Sequence, residues 1–262
     1  MYHGKPCWFE LDTARGGLPA ASDFYGKVFG WSVADSGMPD FSYLLASHGG
    51  DMVAGLMEIP PGYDGIPPNW LIYLDVDDCD AAAEKIALLG GTVHKPPADI
   101  PGTGRFAVAA DPQGAVFGIL QPLPMQPQPA AETGAFDQKK EGHGNWIELM
   151  STDPVAGFAF YAELFGWTAG DAMDMGAMGK YQLFRWNGTD IGGMMGLGNA
   201  PVSCWLPYFG TNGVEPAMQR IRDAGGEVVS GPHEVPGPAF IAVARDPQGA
   251  HFAIVGPREA TP

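Results

Sequence analysis

Apolar and polar residues alternate over 8–12, the two-residue period of a β-strand with one buried face. An apolar stretch over 18–29 that stops at Gly30 reads as a helix, because glycine tolerates the left-handed turn that ends one. Strands over 31–34, 41–46 and 51–57 follow, the last two separated by His48-Gly49-Gly50. The order then restarts: a strand over 70–76, a helix over 80–89 closed by Gly90-Gly91, and hairpin strands over 105–110 and 115–120. Between these last two stands Asp111-Pro112-Gln113-Gly114-Ala115, with Asp, Pro and Gly where a type I turn prefers them.

That turn occurs again as Asp246-Pro247-Gln248-Gly249-Ala250. So does the rest of the pattern. Phe24-Tyr25-Gly26-Lys27-Val28-Phe29-Gly30-Trp31 returns as Phe160-Tyr161-Ala162-Glu163-Leu164-Phe165-Gly166-Trp167, and Trp8-Phe9-Glu10-Leu11 as Trp146-Ile147-Glu148-Leu149. Asp153 and Pro154 supply a helix cap and first turn, and Asn187-Gly188 marks a hairpin between strands over 181–186 and 190–195. A strand over 205–210, a helix over 215–224 and strands over 240–244 and 251–255 complete the second copy. The chain is therefore a tandem duplication. We expect an α+β fold with a first domain over 1–122, a Pro-rich linker over 123–141 and a second domain over 142–262. Each domain holds two βαβββ units whose mixed sheet has one face covered by helices, the other needing a partner sheet or a ligand.

The 262 residues carry 14 Lys and Arg against 30 Asp and Glu, a formal charge of −16 that opposes nucleic acid and anionic membrane as partners. No apolar run reaches the ~20 residues of a membrane span and no signal peptide is visible, so the expected location is cytoplasmic. Cys7, Cys79 and Cys204 form no paired motif and are read as reduced and buried.

With Phe-Tyr-x-x-x-Phe-Gly-Trp on the first helix of each copy and Asp-Pro-x-Gly-x before its last strand, the chain resembles the vicinal oxygen chelate superfamily. That group includes glyoxalase I, extradiol dioxygenases and fosfomycin and bleomycin resistance proteins. More narrowly, Gly102-Thr-Gly-Arg-Phe-Ala-Val108 before the turn resembles tandem glyoxalase-like proteins often labelled hydroxylases. The resemblance implies curved mixed sheets. In the enzymes of the group it also implies a divalent metal held by His, Gln or Glu, with open positions that polarise substrate oxygens. Carried over, the ligand positions fall on Trp8 and Trp146, Leu71 and Leu206, and Gly118 and Ala253, with Gly55 or Leu56 and Gly193 or Met194 in a looser register. None of these side chains is a metal ligand, so the expectation is no metal and no cofactor, and an apolar floor suited to a flat organic ligand.

The polar residues expected on those faces are Glu10 and Tyr73 in the first copy and Glu148, Tyr208 and His251 in the second, with Val116 standing where His251 does. Glu148 and His251 could move protons with Tyr208 as a donor to a carbonyl or enolate, or they could be structural. The ligand-binding set is Trp8, Glu10, Leu71, Tyr73, Gly118, Trp146, Met194, Leu206 and Ala253. His3, His48, His94, His143 and His233 are read as solvated, and Trp31 and Trp167 as packing residues. Met173, Met175 and Met178 form a loop group that either adapts to a ligand or does not, and any anion-binding role of Arg105 is confined to the first copy. The loops over 60–68 and 95–104 are read as lids or connections. The readings are a binding protein for a small apolar or aromatic molecule, a lyase, isomerase or hydroxylase, metal-independent or with an atypical metal site such as one rebuilt from Glu148 and His251, and an interaction module, as a monomer with paired domains or a homodimer.

Overall fold

The computed structural model describes residues 3–38, 42–63, 65–123, 134–176 and 179–260. The first repeat runs β1 (Pro6–Thr13), α1 (Leu18–Phe29), β2 (Ser32–Asp35), β3 (Tyr43–His48), β4 (Asp51–Glu58), then β5 (Asn69–Asp75), α2 (Cys79–Leu88), β6 (Thr92–Ile100), β7 (Gly104–Ala110) and β8 (Val116–Pro122). The second runs β9 (Gly144–Ser151), α3 (Pro154–Phe165), β10 (Thr168–Asp174), β11 (Lys180–Trp186), β12 (Thr189–Gly196), then β13 (Cys204–Gly210), α4 (Val214–Asp223), β14 (Glu227–Val235), β15 (Ala239–Arg245) and β16 (His251–Gly256). The fold is α+β, with two eight-stranded mixed sheets in the orders β2-β3-β4-β1-β5-β8-β7-β6 and β10-β11-β12-β9-β13-β16-β15-β14.

Helix ends follow the chemistry of their caps. The Asp153 side chain accepts the Ala156 N–H at 3.0 Å ahead of Pro154, and Asp78 accepts from Ala81 at 2.9 Å. Gly30 and Gly166 close α1 and α3 at φ 71° and 72°, where a side chain would be strained.

Residues 95–104 are not a loop. Through residue 100 they belong to β6, which pairs with β7 and slips register between Lys95 and Ala98, around Pro96 and Pro97. β14 likewise slips between Ser230 and His233, around Pro232. Both strands are last in their sheets, where proline's missing N–H costs no ladder bond. The expected strand over 41–46 starts at Tyr43 in β3; residue 41, like Met178, lies outside the described residues. Met173 is on β10 rather than in a loop. Most of the expected linker also lies outside them, but Ala135 and Phe136 in its described part are buried.

By compactness the chain divides into a first unit of residues 1–7, 71–132 and 147–206 and a second of 8–70, 133–146 and 207–262. Each unit thus draws on both repeats. In the second unit, Phe24, Tyr25, Phe29 and Trp31 from α1 and its C-terminal turn pack on Trp70, Phe209 and Phe252, with ring centroids 4.9–6.2 Å apart. Tyr25 Oη accepts the Trp70 indole N–H at 2.9 Å and donates to Asp246 Oδ2 at 3.1 Å. Asp246 Oδ1 takes the backbone N–H of Gln248 and Ala250, each at 2.9 Å, and so shapes the turn. The first unit repeats this with Tyr161, Trp205 and Asp111, and Trp167 stacks on Phe184 at 4.4 Å. The helix motif of one repeat therefore locks onto the turn motif of the other.

Candidate functional site

β1 separates two environments. Phe9, Leu11 and Thr13 on one face are fully buried. On the other face Glu10 is buried, while Trp8 and Asp12 stay half-buried. Tyr43 on β3 joins them by reaching across β4: its hydroxyl donates to Glu10 Oε2 at 2.8 Å and accepts the Trp8 indole N–H at 2.9 Å. Gly55 makes this possible. It pairs with Glu10 in the parallel β1–β4 register, and a Cβ there would lie 1.9 Å from Tyr43 Oη.

Burial and the neighbouring Glu10 carboxylate push the Asp12 carboxyl up to about 7. The Tyr43 phenol is raised by burial and then by Glu10, which keeps it a neutral donor. Asp12 was not among the residues singled out in the sequence. The period-two alternation of Trp8, Glu10 and Asp12 was the available signal, but Met150 stands at its place in the other repeat and hid it.

The remaining candidates distribute between the units. In the first, the Tyr73 ring lies over Gly118, where a Cβ would meet Cδ1 at 2.1 Å, and the Tyr181 ring lies over Gly193 in the way Tyr43 lies over Gly55. Glu148 is buried there and raises the thiol pKa of Cys204 after burial itself. Leu71, Leu206 and Met194 are buried core residues of the same unit. Trp146, Tyr208, Ala253 and His251 belong to the second unit, with Tyr208 and Ala253 paired in register. The expected set Glu148, Tyr208 and His251 is thus divided between units. His251 is exposed opposite Arg245, and burial, then Arg245, lowers its pKa.

Two further expectations are corrected. Arg105 is not open to an anion, since it holds Asp80 through Nε and Nη2 at 2.8 and 2.9 Å and Asp99 through Nη1 at 2.7 Å. His143 is not solvated: it is buried, with Nδ1 2.8 Å from the Glu141 carbonyl and Nε2 3.3 Å from Asp51 Oδ2. His48 is half-buried, and among the described residues its buried Nδ1 has no hydrogen-bond partner. Trp31 and Trp167 do pack inside, donating to the carbonyls of Gly142 and Gly4. Two pockets, of about 320 Å³ beside Arg105 and about 390 Å³ beside Arg220, are lined by none of the expected site residues apart from Arg105 itself.

The divalent metal that the resemblance implies does not fit these residues. Phenol rings occupy the space in which side chains at Gly55 and Gly118 would stand. Among the described residues, no group of three or more His, Cys, Asp or Glu is placed to hold a metal ion.

Residues 11–119 match the model of the Glyoxalase/Bleomycin resistance protein/Dioxygenase superfamily. A Mycobacterium tuberculosis (strain CDC 1551 / Oshkosh) protein named as a glyoxylase, CFP32, is 32% identical across 97% of this chain and 95% of its own. The chain belongs to this superfamily. Anthracycline biosynthesis protein DauV of Streptomyces sp. (strain C5) is 31% identical across 99% of this chain and 95% of its own. Among solved structures, the Mn(II)-bound glyoxalase from Novosphingobium aromaticivorans aligns with a TM-score of 0.64 at 15% identity, over 99% of this chain and 83% of that one, a likeness of fold. Among the described residues no helix is long and apolar enough to cross a membrane.

Proposed function

We propose that this superfamily member binds a small apolar or aromatic molecule without a metal, on the sheet face that carries Trp8, Glu10 and Tyr43. One observation carries the reading: the Tyr43 ring fills the space in which a side chain at Gly55, one of the positions the resemblance assigns to a metal ligand, would stand, so the surface beside Trp8 and Glu10 is aromatic and hydrogen-bonding rather than metal-coordinating. The names of the two relatives point in different directions, one to glyoxylase chemistry and the other to the making of anthracyclines. The test joins native mass spectrometry of freshly purified protein, a screen of aromatic ligands by tryptophan fluorescence, and elemental analysis. A bound organic ligand with far less than one divalent ion per chain supports the reading. A stoichiometric zinc, iron, nickel or manganese ion sinks it.

A second reading is an enzyme, a lyase, isomerase or hydroxylase acting on a small carbonyl or aromatic substrate. The observation in its favour is the Asp12 carboxyl, which titrates at about 7 beside Glu10 and so suits a general base at neutral pH. On this reading Asp12→Asn lowers turnover by roughly 100-fold or more, whereas His251→Val leaves it unchanged. Turnover that survives Asp12→Asn rules the reading out. The chain acts as a monomer or a homodimer, which light scattering on the eluting protein distinguishes.

A further inference from the structure

The face of β1 that carries Trp8 combines two aromatic rings with two carboxylates, and the carboxylates differ in their circumstances. Glu10 receives the Tyr43 hydroxyl. Asp12, two residues along the same face, has among the described residues neither a cation nor a hydrogen-bond donor on its side chain. The other titratable groups here are Glu10 on β1 and Tyr43 on β3, while β4 presents Gly55 opposite Glu10 and Met57 opposite both Asp12 and Tyr43. A half-buried carboxylate held beside another, with no countercharge, lacks the partner that would make its ionisation favourable. Indole and phenol faces beside carboxylates are the surroundings in which an ammonium group is held by charge and by ring quadrupole together. The corresponding face in the second repeat has Glu148 with Met150 in place of Asp12 and so lacks this second carboxylate.

We propose that the first repeat's site selects a ligand bearing a protonated amine, with the ammonium seated between Asp12 and Glu10 and the ligand's apolar body against Trp8 and Tyr43. This rests on the reading of that face as a small-molecule site and adds the class of molecule it takes. The excess of 30 acidic over 14 basic residues would also draw a cation towards the protein, so the test must separate a local carboxylate from overall charge.

Naphthalen-1-ylmethylamine and its neutral isostere naphthalen-1-ylmethanol are titrated calorimetrically into the full chain at pH 8 and pH 6. At pH 8 the amine is expected to bind about tenfold or more tightly than the alcohol. Because the Asp12 carboxyl gains its proton below about pH 7, the preference shrinks at pH 6 while alcohol binding stays flat. Asp12→Asn cuts the amine's preference over the alcohol several-fold, leaving only the part that Glu10 supplies. Asp171→Asn, a charge removed from an exposed position, leaves the preference intact. Equal binding of both probes by the wild-type chain overturns the amine inference and keeps the small-molecule reading of that face. A preference that Asp12→Asn leaves undiminished, or that Asp171→Asn abolishes, also overturns it. Binding of neither probe removes the small-molecule reading of that face and the inference with it. Should Asp12→Asn fail to fold, the pH dependence of the wild-type preference decides alone, and a preference that does not change between pH 6 and pH 8 overturns the inference.

Discussion

Replacing Tyr25 by Phe removes one oxygen from the interior of the second unit and strands two buried polar groups. The Trp70 indole N–H, 2.9 Å from Tyr25 Oη, loses its acceptor, and Asp246 Oδ2, 3.1 Å away, loses its donor. Tyr25 is 0% exposed, Trp70 5% and Asp246 4%, so water is not at hand to replace either bond. An unpaired buried group costs about 1–3 kcal/mol, while the ring keeps its volume and leaves no cavity, so for two such groups the expected loss is about 2–6 kcal/mol. A pH dependence should accompany it. Burial raises the folded-state pKa of Asp246 above its usual 3.8, so its contribution is whole below that value and falls away as pH rises through the folded pKa. Losing the Tyr25 donor raises that pKa further, and the deficit of Tyr25→Phe should be smaller at pH 4 than at pH 8. Urea unfolding followed by tryptophan fluorescence measures both quantities. Tyr161→Phe, which strands Trp205 and Asp111 in the first unit, should cost a similar amount. Losses below about 0.5 kcal/mol for both variants would refute the claim that these contacts secure the helix and turn motifs to each other.

Other consequences are as direct. Gly55→Ala puts a methyl 1.9 Å from Tyr43 Oη, so the phenol must leave Glu10 and Trp8; a stability loss of about 1–3 kcal/mol and altered Trp8 fluorescence are expected, and an unchanged urea midpoint contradicts this. Asp12, with its folded pKa raised from 3.8 to about 7, contributes stability that is intact below pH 4 and lost as pH rises through 7. Asp12→Asn should therefore gain roughly 2 kcal/mol at pH 8, allowing for partial exposure, and nothing near pH 4; an equal gain at both pH values defeats the reasoning. His251→Val restores the residue of the first repeat at an exposed position, and thermal melting should show a change within about 0.5 kcal/mol.

The repeat and its element order were legible because the motifs serve the core. Tyr25 and Tyr161, Asp111 and Asp246 recur since each unit needs one of each. What stayed hidden depended on neighbours distant in sequence. Pro96 and Pro97 made the stretch over 95–104 read as a loop, although at the edge of a sheet the missing N–H has no strand to serve. Tyr43 is an unremarkable strand residue until Gly55, twelve positions on, leaves it room to cross a strand. Asp12 looks like the polar end of β1, and its raised pKa arises only from burial beside Glu10. His143 follows Gly142 and precedes Gly144, a context that reads as a solvated turn, yet Asp51 from the β3–β4 hairpin closes over it.

Each interior is stitched from both repeats, with Tyr25 answering Asp246 in one and Tyr161 answering Asp111 in the other. Neither half of the gene product could be shed without opening two hydrophobic cores at once. Since both contributors travel on one polypeptide, these interlocks should withstand dilution that would dissociate an association of separate single-repeat chains.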